Sequence, residues 1–273
     1  MQWLAGLSLV GLAVAIFLAM LVASLLGYGA RKLELHVTGG REAAEHSQES
    51  YLVGGMLGIM ALLLAFSFSI ALERFDERRH LVVQEANAIG TSYLRAQMLD
   101  EPHRGRLSSL LVAYTDNRIR LANIPPDQQT AQLAINDKLL TDIWSAVVAS
   151  RDSAFAHGIS VPLLNTFNEV IDLDTERKIS RTVRMPQEVL ELLLGFLFVT
   201  AAVLGYVLVE RSGKIGAVVL FGLLSLYVGI IADLNRPTSG NIREAQDAML
   251  MLQASLKTQP PHAFDHYLSG ATQ

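Results

Sequence analysis

Long uncharged apolar stretches alternate with polar segments along this chain. The stretches without any charged side chain are 1–30, 51–72, 192–209 and 215–232. A helix that crosses a bilayer needs about 20 apolar residues, with a range of about 17–25. The pattern therefore predicts four transmembrane helices, from about Trp3 to Tyr28, from Tyr51 to Leu72, and over about 187–209 and 215–234.

The polar segment 73–185 shows helical periodicity and holds most of the charged residues. No proline or glycine interrupts the chain from Ile59 to Ala88, so the second span is expected to continue as one long helix. Its two heptad series are Leu72, Arg79, Ala86, Tyr93 and Phe75, Val82, Ile89, Ala96. A stripe of this length needs other helices to cover it. Helical patterns follow over about 104–122, 127–155 and 161–183, and no alternating strand pattern appears.

These patterns predict the fold class: an all-α integral membrane protein with four transmembrane helices. A helical-bundle extramembrane domain is expected to be continuous with span two. The predicted domains are 1–72 (spans one and two), 73–185 (the helical extramembrane domain), 186–235 (spans three and four) and 236–273 (a C-terminal helix and tail). The helix of the last segment is predicted over about 241–257.

The amino-acid composition excludes several classes of protein. Hydrophobic residues make up 51% of the chain and charged residues 18%, and the formal net charge is −4. Together with the uncharged spans, these values exclude a purely soluble enzyme, a mainly disordered chain and a strongly basic nucleic-acid binder. The chain has no cysteine, which excludes disulfides, thiolate catalysis and iron–sulfur clusters.

Residues that usually carry catalysis or bind cofactors form no known motif here. The sequence has no GxGxxG, no phosphate-binding loop, no HExxH and no G-x-S-x-G, so neither an enzyme nor a cofactor is predicted. His262, Asp265 and His266 are spaced like metal ligands, but they lie in a proline-flanked tail and no metal site is predicted. Two acidic pairs are interpreted as solvated helix faces or caps: Asp76 with Glu77, and Asp172 with Asp174.

The cores of all four spans lack Asp, Glu, Lys, Arg and His. Coupled transporters and proton pumps usually keep an ionisable residue at that depth. Coupled transport is therefore disfavoured. The classes that fit the uncharged spans are a hydrophobically lined channel, a sensor and a membrane scaffold.

Two arguments about the orientation in the membrane disagree. Basic residues in the loops 31–50 and 210–214 place those loops in the cytoplasm under the positive-inside rule, with the helical domain outside. Many basic residues also lie near the membrane ends on the side of the helical domain, among them Arg74, Arg177 and Arg236. Charge alone leaves the orientation open.

The end of span two carries a motif that resembles the bestrophin family. The residues that fit are Leu64, Phe66, Ser69, Glu73, Arg74, Phe75, Glu77 and Arg79, with Leu81 and Asn87 further along. After span four, the segment Asp233–Gly240 resembles the acidic turn of bestrophins. The likeness to the bacterial bestrophin-like domain family is closer, through Arg74–Arg79 and Glu85–Thr91, and it covers nearly the whole chain.

Bestrophins are pentameric anion channels in which span two lines a hydrophobic neck. The resemblance implies a homo-oligomer, a pentamer, in the inner membrane of a bacterium, passing anions such as chloride. It implies that the helical domain and both termini are cytoplasmic. Phe66 matches a neck aromatic of the family, and its helical neighbours one and two turns back, Leu62 and Ile59, are expected to complete the neck. Arg74, Arg78 and Arg79 are expected at the pore mouth, where they would raise the local anion concentration. The implied structural residues of the motifs are Glu73, Phe75, Glu77, Glu85, Asn87, Asp233, Pro237 and Gly240.

Several positions depart from the bestrophin pattern. Ala65 stands in place of a glycine, and Asp76 in place of an aromatic residue. The acidic cluster that binds calcium in animal bestrophins is not evident beside Pro237, so calcium gating is not predicted. The alternative hypothesis is a non-conducting membrane sensor or scaffold whose helical domain, 73–185, binds a partner.

Overall fold

The computed structural model describes residues 8–38, 46–125, 128–208, 210–237 and 240–265. In these ranges the secondary structure is entirely helical. The helices are α1 (Leu9–Thr38), α2 (His46–Ala96), α3 (His103–Asn123), α4 (Gln129–Ala149), α5 (Arg151–Ala156), α6 (Ser160–Ser180), α7 (Gln187–Val207), α8 (Arg211–Leu234) and α9 (Asp247–Thr258), followed by a short 3-10 helix, Pro261–Phe264. The predicted all-α fold class is confirmed.

Four helices are long and apolar enough to cross a membrane: α1, α2, α7 and α8. They correspond to the four predicted spans. Helix α1 continues to Thr38, although a loop is predicted from residue 31. The cause is Arg31, which is buried and donates a hydrogen bond to the Tyr206 carbonyl oxygen at 3.0 Å. This contact holds a basic residue within the helix, where charge alone predicts a loop.

The chain forms two compact units. The first contains Met1–Phe75 and Arg184–Arg243, and the second contains Asp76–Val183 and Glu244–Gln273. In the first unit, α1 packs against α7 and α8 around a core that includes Met20, Leu197 and Phe221.

The second unit is a helical bundle around the distal half of α2. Val82 and Ile89, two of the predicted heptad positions, are buried there with Leu111 and Phe167. The predicted helix over 127–155 is two helices, because the chain breaks at Ser150. The Ser150 hydroxyl donates to the Val147 carbonyl oxygen at 2.8 Å, which offers the backbone an alternative to a continuing helix.

Helices α1 and α7 approach each other closely at two glycines. A Cβ atom on Gly27 would lie 1.8 Å from the Ala202 carbonyl oxygen, and one on Gly205 would lie 1.9 Å from the Ser24 carbonyl oxygen. Small residues that let backbones approach are a common basis of helix packing in membranes. These two positions therefore fix the contact between α1 and α7.

Replacing Gly205 by alanine is expected to lower the free energy of unfolding by about 2 kcal/mol, because the added methyl group forces the two backbones apart. Thermal unfolding of the detergent-solubilised protein measures this loss. The matched control is Gly195→Ala in the same helix, where a Cβ meets nothing within 4 Å. That control is expected to be neutral or slightly stabilising, because alanine favours the helix more than glycine does. Equal losses in both variants would contradict the close packing.

Candidate functional site: the exposed stripe of α2 and the buried ion network

One face of α2 is exposed from Gly55 to Asn87. Its exposed residues recur every three or four positions, as expected for one side of an α-helix. We call this face the α2 stripe: Gly55, Ile59, Leu62, Phe66, Ser69, Glu73, Asp76, His80 and Asn87. The opposite face is buried, for example at Met60, Leu64 and Ala71 in the first unit.

The three predicted neck residues all lie on the α2 stripe. Ile59, Leu62 and Phe66 are 53%, 56% and 59% exposed. They fall on one side of the helix over two turns, so the structure brings them together. Large apolar side chains exposed on a membrane helix must contact lipid, another helix or a shared axis between copies.

The three predicted mouth arginines do not lie together on the α2 stripe. Arg78 is buried on the opposite face, where its Nε atom lies 3.0 Å from Oε1 of Glu244 in the second unit. Arg74 is half-buried, and only Arg79 is exposed, at the edge of the stripe. The charged residues on the stripe itself are acidic, Glu73 and Asp76. Helical phase turns Arg78 towards the core of the second unit, so the structure does not bring the three arginines together on one face.

The remaining motif residues of α2 divide between its two faces. Glu77 and Asn87 are exposed, Phe75 is partly buried against the core of the first unit, and Glu85 is buried in the second unit. Asp76 and Glu77 are both solvated, as the sequence predicts.

Glu85 is the centre of a buried ion network in the second unit. Its carboxylate accepts a hydrogen bond from the Tyr114 hydroxyl at 2.7 Å and pairs with Arg118 at 2.9 Å and with Arg177. All four side chains are buried. Because they come from α2, α3 and α6, the network ties these three helices together.

Asp174 extends this network to α4. One carboxylate oxygen accepts hydrogen bonds from Arg118 and from the Asn136 amide, each at 2.9 Å, and the other lies 2.7 Å from Nζ of Lys178. The interpretation of Asp174 as a solvated residue is therefore wrong, whereas Asp172 is exposed. A signal was available in the sequence, since Asp174 falls in phase with the apolar Phe167 and Val170 of α6.

Burial changes the acid–base behaviour of the network. It raises the pKa of the Tyr114 hydroxyl well above its usual value, and the negative charge of Glu85 raises that pKa further. Burial acts to lower the pKa of Arg118, but Glu85, Tyr114 and Asp174 outweigh it and raise the pKa above its usual value. Tyr114 therefore remains a hydrogen-bond donor, and Arg118 remains charged.

The turn after α8 is held by Asp233. This buried carboxylate accepts hydrogen bonds from the backbone N–H groups of Asn241 at 3.0 Å and Ile242 at 2.8 Å. Gly240 is required at this turn, because a Cβ there would lie 2.8 Å from the Asp233 carbonyl oxygen. Pro237 is half-buried in the same turn. The Asp233 carboxylate in this acidic turn is thus already bound by two backbone N–H groups.

Within the described ranges, no group of three or more His, Asp or Glu side chains could hold a metal ion. Asp265 forms a bidentate pair with Arg104, at 2.7 and 3.2 Å, and lies 3.7 Å from the ring of His262. His266, the third residue of the candidate metal motif, lies outside the described residues.

The fold resembles solved structures of a bacterial bestrophin homologue from Klebsiella pneumoniae. One single-residue variant of that protein matches with a TM-score of 0.67 at 18% identity, over 89% of this chain and 98% of the other. A second variant matches with a TM-score of 0.65 at 17% identity, over 90% and 97%. No protein among the curated sequences matches the chain.

The fold and these matches define an all-α membrane protein with four spans and a helical bundle continuous with the second span. The family model of the Bestrophin-like domain matches residues 33–248, which is most of the chain. The chain belongs to the bestrophin-like domain family.

Proposed function

We propose that several copies of this chain assemble into an ion channel whose axis is lined by the α2 stripe. The observation that carries the proposal is the exposure of Ile59, Leu62 and Phe66 on one face of a membrane helix. Repeated around an axis, these side chains form rings that constrict the path. Hydrophobic constrictions of this kind gate ion flow by dewetting. Membership of the bestrophin-like family supports the same architecture.

The charges next to this neck favour cations. Glu73 follows Phe66 by seven residues and Asp76 follows Ser69 by seven, so both carboxylates continue the α2 stripe. In an oligomer they form acidic rings, and rings of Asp or Glu side chains are the usual selectivity element of cation channels. The resemblance implies anions such as chloride. The placement of Arg78 on the buried face removes one of the three arginines that supported this ion at the mouth, and leaves Arg79 exposed at the edge of the stripe.

A polar groove in the second unit carries charge of the same sign. It has a volume of about 540 Å³ and is lined by Gln84 and Asn87 of α2 and by Asn165, Asn168, Glu169, Asp172, Leu173 and Glu176 of α6. Its α2 residues belong to or adjoin the stripe. Clefts lined by one sign of charge raise the local concentration of the opposite ion. The groove therefore supports accumulation of cations near the path.

The proposed assembly follows the resemblance in its further details. We propose five copies in a bacterial inner membrane, with the helical bundle and both termini in the cytoplasm.

A second candidate function is a non-conducting sensor or scaffold. The polar groove is the observation that favours it, because its size suits a small polar ligand.

The ion preference can be tested by the reversal potential of the purified protein in planar bilayers under a KCl gradient. The wild-type protein is expected to prefer K⁺ over Cl⁻ on the order of tenfold, because the acidic rings raise the local cation concentration. The double variant Glu73→Gln, Asp76→Asn is expected to lose most of this preference. Glu101→Gln, an exposed acidic residue away from the stripe, serves as the control.

Three outcomes of this experiment are distinct. Selectivity for K⁺ that the double variant abolishes supports the proposal. A wild-type reversal potential at the Cl⁻ equilibrium value would overturn the ion preference and restore the anion channel. Absence of current from a folded oligomer would favour the sensor or scaffold.

A further inference from the structure

The part of α2 that belongs to the second unit begins with a carboxylate and an imidazole on its exposed face. Asp76 and His80 are both exposed, and both belong to the α2 stripe. They stand four residues apart, so their Cβ atoms lie about 5–6 Å apart on one side of the helix. Side chains at this spacing can reach one metal ion, as two histidines do in zinc sites built on a single helix.

Neither of these two side chains is used inside the chain. Within the described ranges, Asp76 and His80 have no hydrogen-bond, ion-pair or ring partner. A different histidine–carboxylate pair of the same unit is already engaged, because His157 lies 3.0 Å from Asp100 and that carboxylate also accepts a hydrogen bond from Ser153 at 2.8 Å. The carboxylate of Asp76 and the imidazole of His80 therefore keep their lone pairs available for a metal ion.

The nearest exposed basic side chain does not stand between the two ligands. Arg79 is exposed at the edge of the α2 stripe. Successive residues of an α-helix are turned by about 100°, which places Arg79 on the far side of Asp76 from His80. Its position leaves the space between the carboxylate and the imidazole open to a cation.

Two ligands from one chain do not complete a metal site. Protein sites for zinc supply three or four ligands. Among the described residues of one chain, no group of three or more His, Asp or Glu side chains meets this need. Copies arranged with the α2 stripe at a common axis would supply the missing ligands, because each copy brings its own Asp76 and His80 to that axis.

We propose that Asp76 and His80 of adjoining copies together bind a divalent transition-metal ion, which closes the ion path. This inference rests on the proposed function, because it needs the α2 stripe at the axis. An imidazole nitrogen with carboxylate oxygens suits Zn²⁺, whereas Mg²⁺ and Ca²⁺ prefer oxygen ligands alone. The bound ion obstructs the path and repels other cations that approach it.

The first measurement is the binding of Zn²⁺ to the purified full chain in detergent, by isothermal titration calorimetry. The wild-type protein is expected to bind Zn²⁺ saturably and Mg²⁺ much more weakly. His80→Gln is expected to weaken Zn²⁺ binding at least about tenfold, because losing a group that merely supports a metal ligand already costs that much. The matched control is His157→Gln, which removes an exposed histidine beside a different carboxylate and is expected to leave the binding unchanged.

A cysteine at the same position separates a metal ligand from a structural role. His80→Cys replaces the imidazole by a thiol, and the chain has no other cysteine. Thiolates favour soft metal ions. This variant is expected to regain the metal binding that His80→Gln loses and to shift its preference from Zn²⁺ towards Cd²⁺. A structural role of His80 would not change the preference between the two metals.

The second measurement is the current through the protein in planar bilayers as Zn²⁺ is added. Zn²⁺ is expected to reduce the wild-type current over the concentration range in which it binds. His80→Gln is expected to raise the half-blocking concentration by the same factor, at least about tenfold, by which it weakens binding. His157→Gln is expected to be blocked like the wild-type protein.

The proposal is overturned if His80→Gln binds Zn²⁺ as tightly as the wild-type protein, or if only His157→Gln loses the binding. Binding without block in a conducting protein would place the ion away from the path and would also overturn it. Because calorimetry needs no current, the metal site and the channel can fail separately. A protein that conducts without binding Zn²⁺ overturns the metal site alone, and one that binds Zn²⁺ through His80 without conducting overturns the channel alone.

Discussion

Replacement of Glu85 by glutamine is expected to lower the free energy of unfolding by about 3–5 kcal/mol, the typical cost of removing one partner from a buried ion pair. Among the described residues, Glu85 is the only carboxylate that pairs with Arg177. It is also one of the two carboxylates that pair with Arg118. The amide has no charge to offset two guanidiniums held out of water. Chemical denaturation of the detergent-solubilised protein, followed by circular dichroism, measures the loss.

The control for Glu85 is a pair in the same unit whose acidic partner is half exposed. Glu101 pairs with Arg104 at 3.0 Å, and half of its side chain is exposed. Glu101→Gln is expected to cost about 1 kcal/mol or less, because exposed pairs gain little over hydrated charges. If the two substitutions cost the same, the buried network does not stabilise the helical bundle.

The double variant Leu62→Ala, Phe66→Ala is expected to raise ion flux through proteoliposomes on the order of thirtyfold. Smaller side chains widen the proposed neck and let water fill it, which lowers the dewetting barrier. A decrease of about 2 kcal/mol in that barrier corresponds to this factor. The rate of K⁺ efflux at equal protein density is the measurement.

The neck variant also has a matched control. Val219 and Leu223 are large apolar residues on α8, and their exposed fractions are similar to those of the neck residues. Val219→Ala with Leu223→Ala is expected to leave the flux unchanged, because these residues lie outside the α2 stripe. A similar increase in the control would show that the flux reflects general loosening of the spans.

The sequence predicts the spans well because their signal is local. Stretches without charge, such as 192–209 and 215–232, are sufficient to mark α7 and α8. The extension of α1 to Thr38 could not be predicted in this way. It depends on Arg31 reaching the carbonyl of Tyr206, a residue far away in the chain.

In the candidate site, too, some positions follow from local sequence and others depend on residues far away in the chain. The exposed positions of Ile59, Leu62 and Phe66 follow from helical spacing, although their role as a neck stays a prediction. The sequence predicts Arg78 at the mouth, because it follows the end of span two. Its burial depends on Glu244, which returns from the other end of the chain. Local patterns do not encode such pairs.

The central claim is that the α2 stripe lines the path of the ions. The chain has no cysteine, so a single Phe66→Cys substitution gives a unique site for a water-soluble methanethiosulfonate reagent. Leu223→Cys on α8 is the control. The decisive measurement is the current through the Phe66→Cys protein in a planar bilayer before and after the reagent is added. We predict that the reagent blocks this current and leaves that of Leu223→Cys unchanged. An unchanged current after complete modification of Phe66→Cys, verified by mass, would contradict the account.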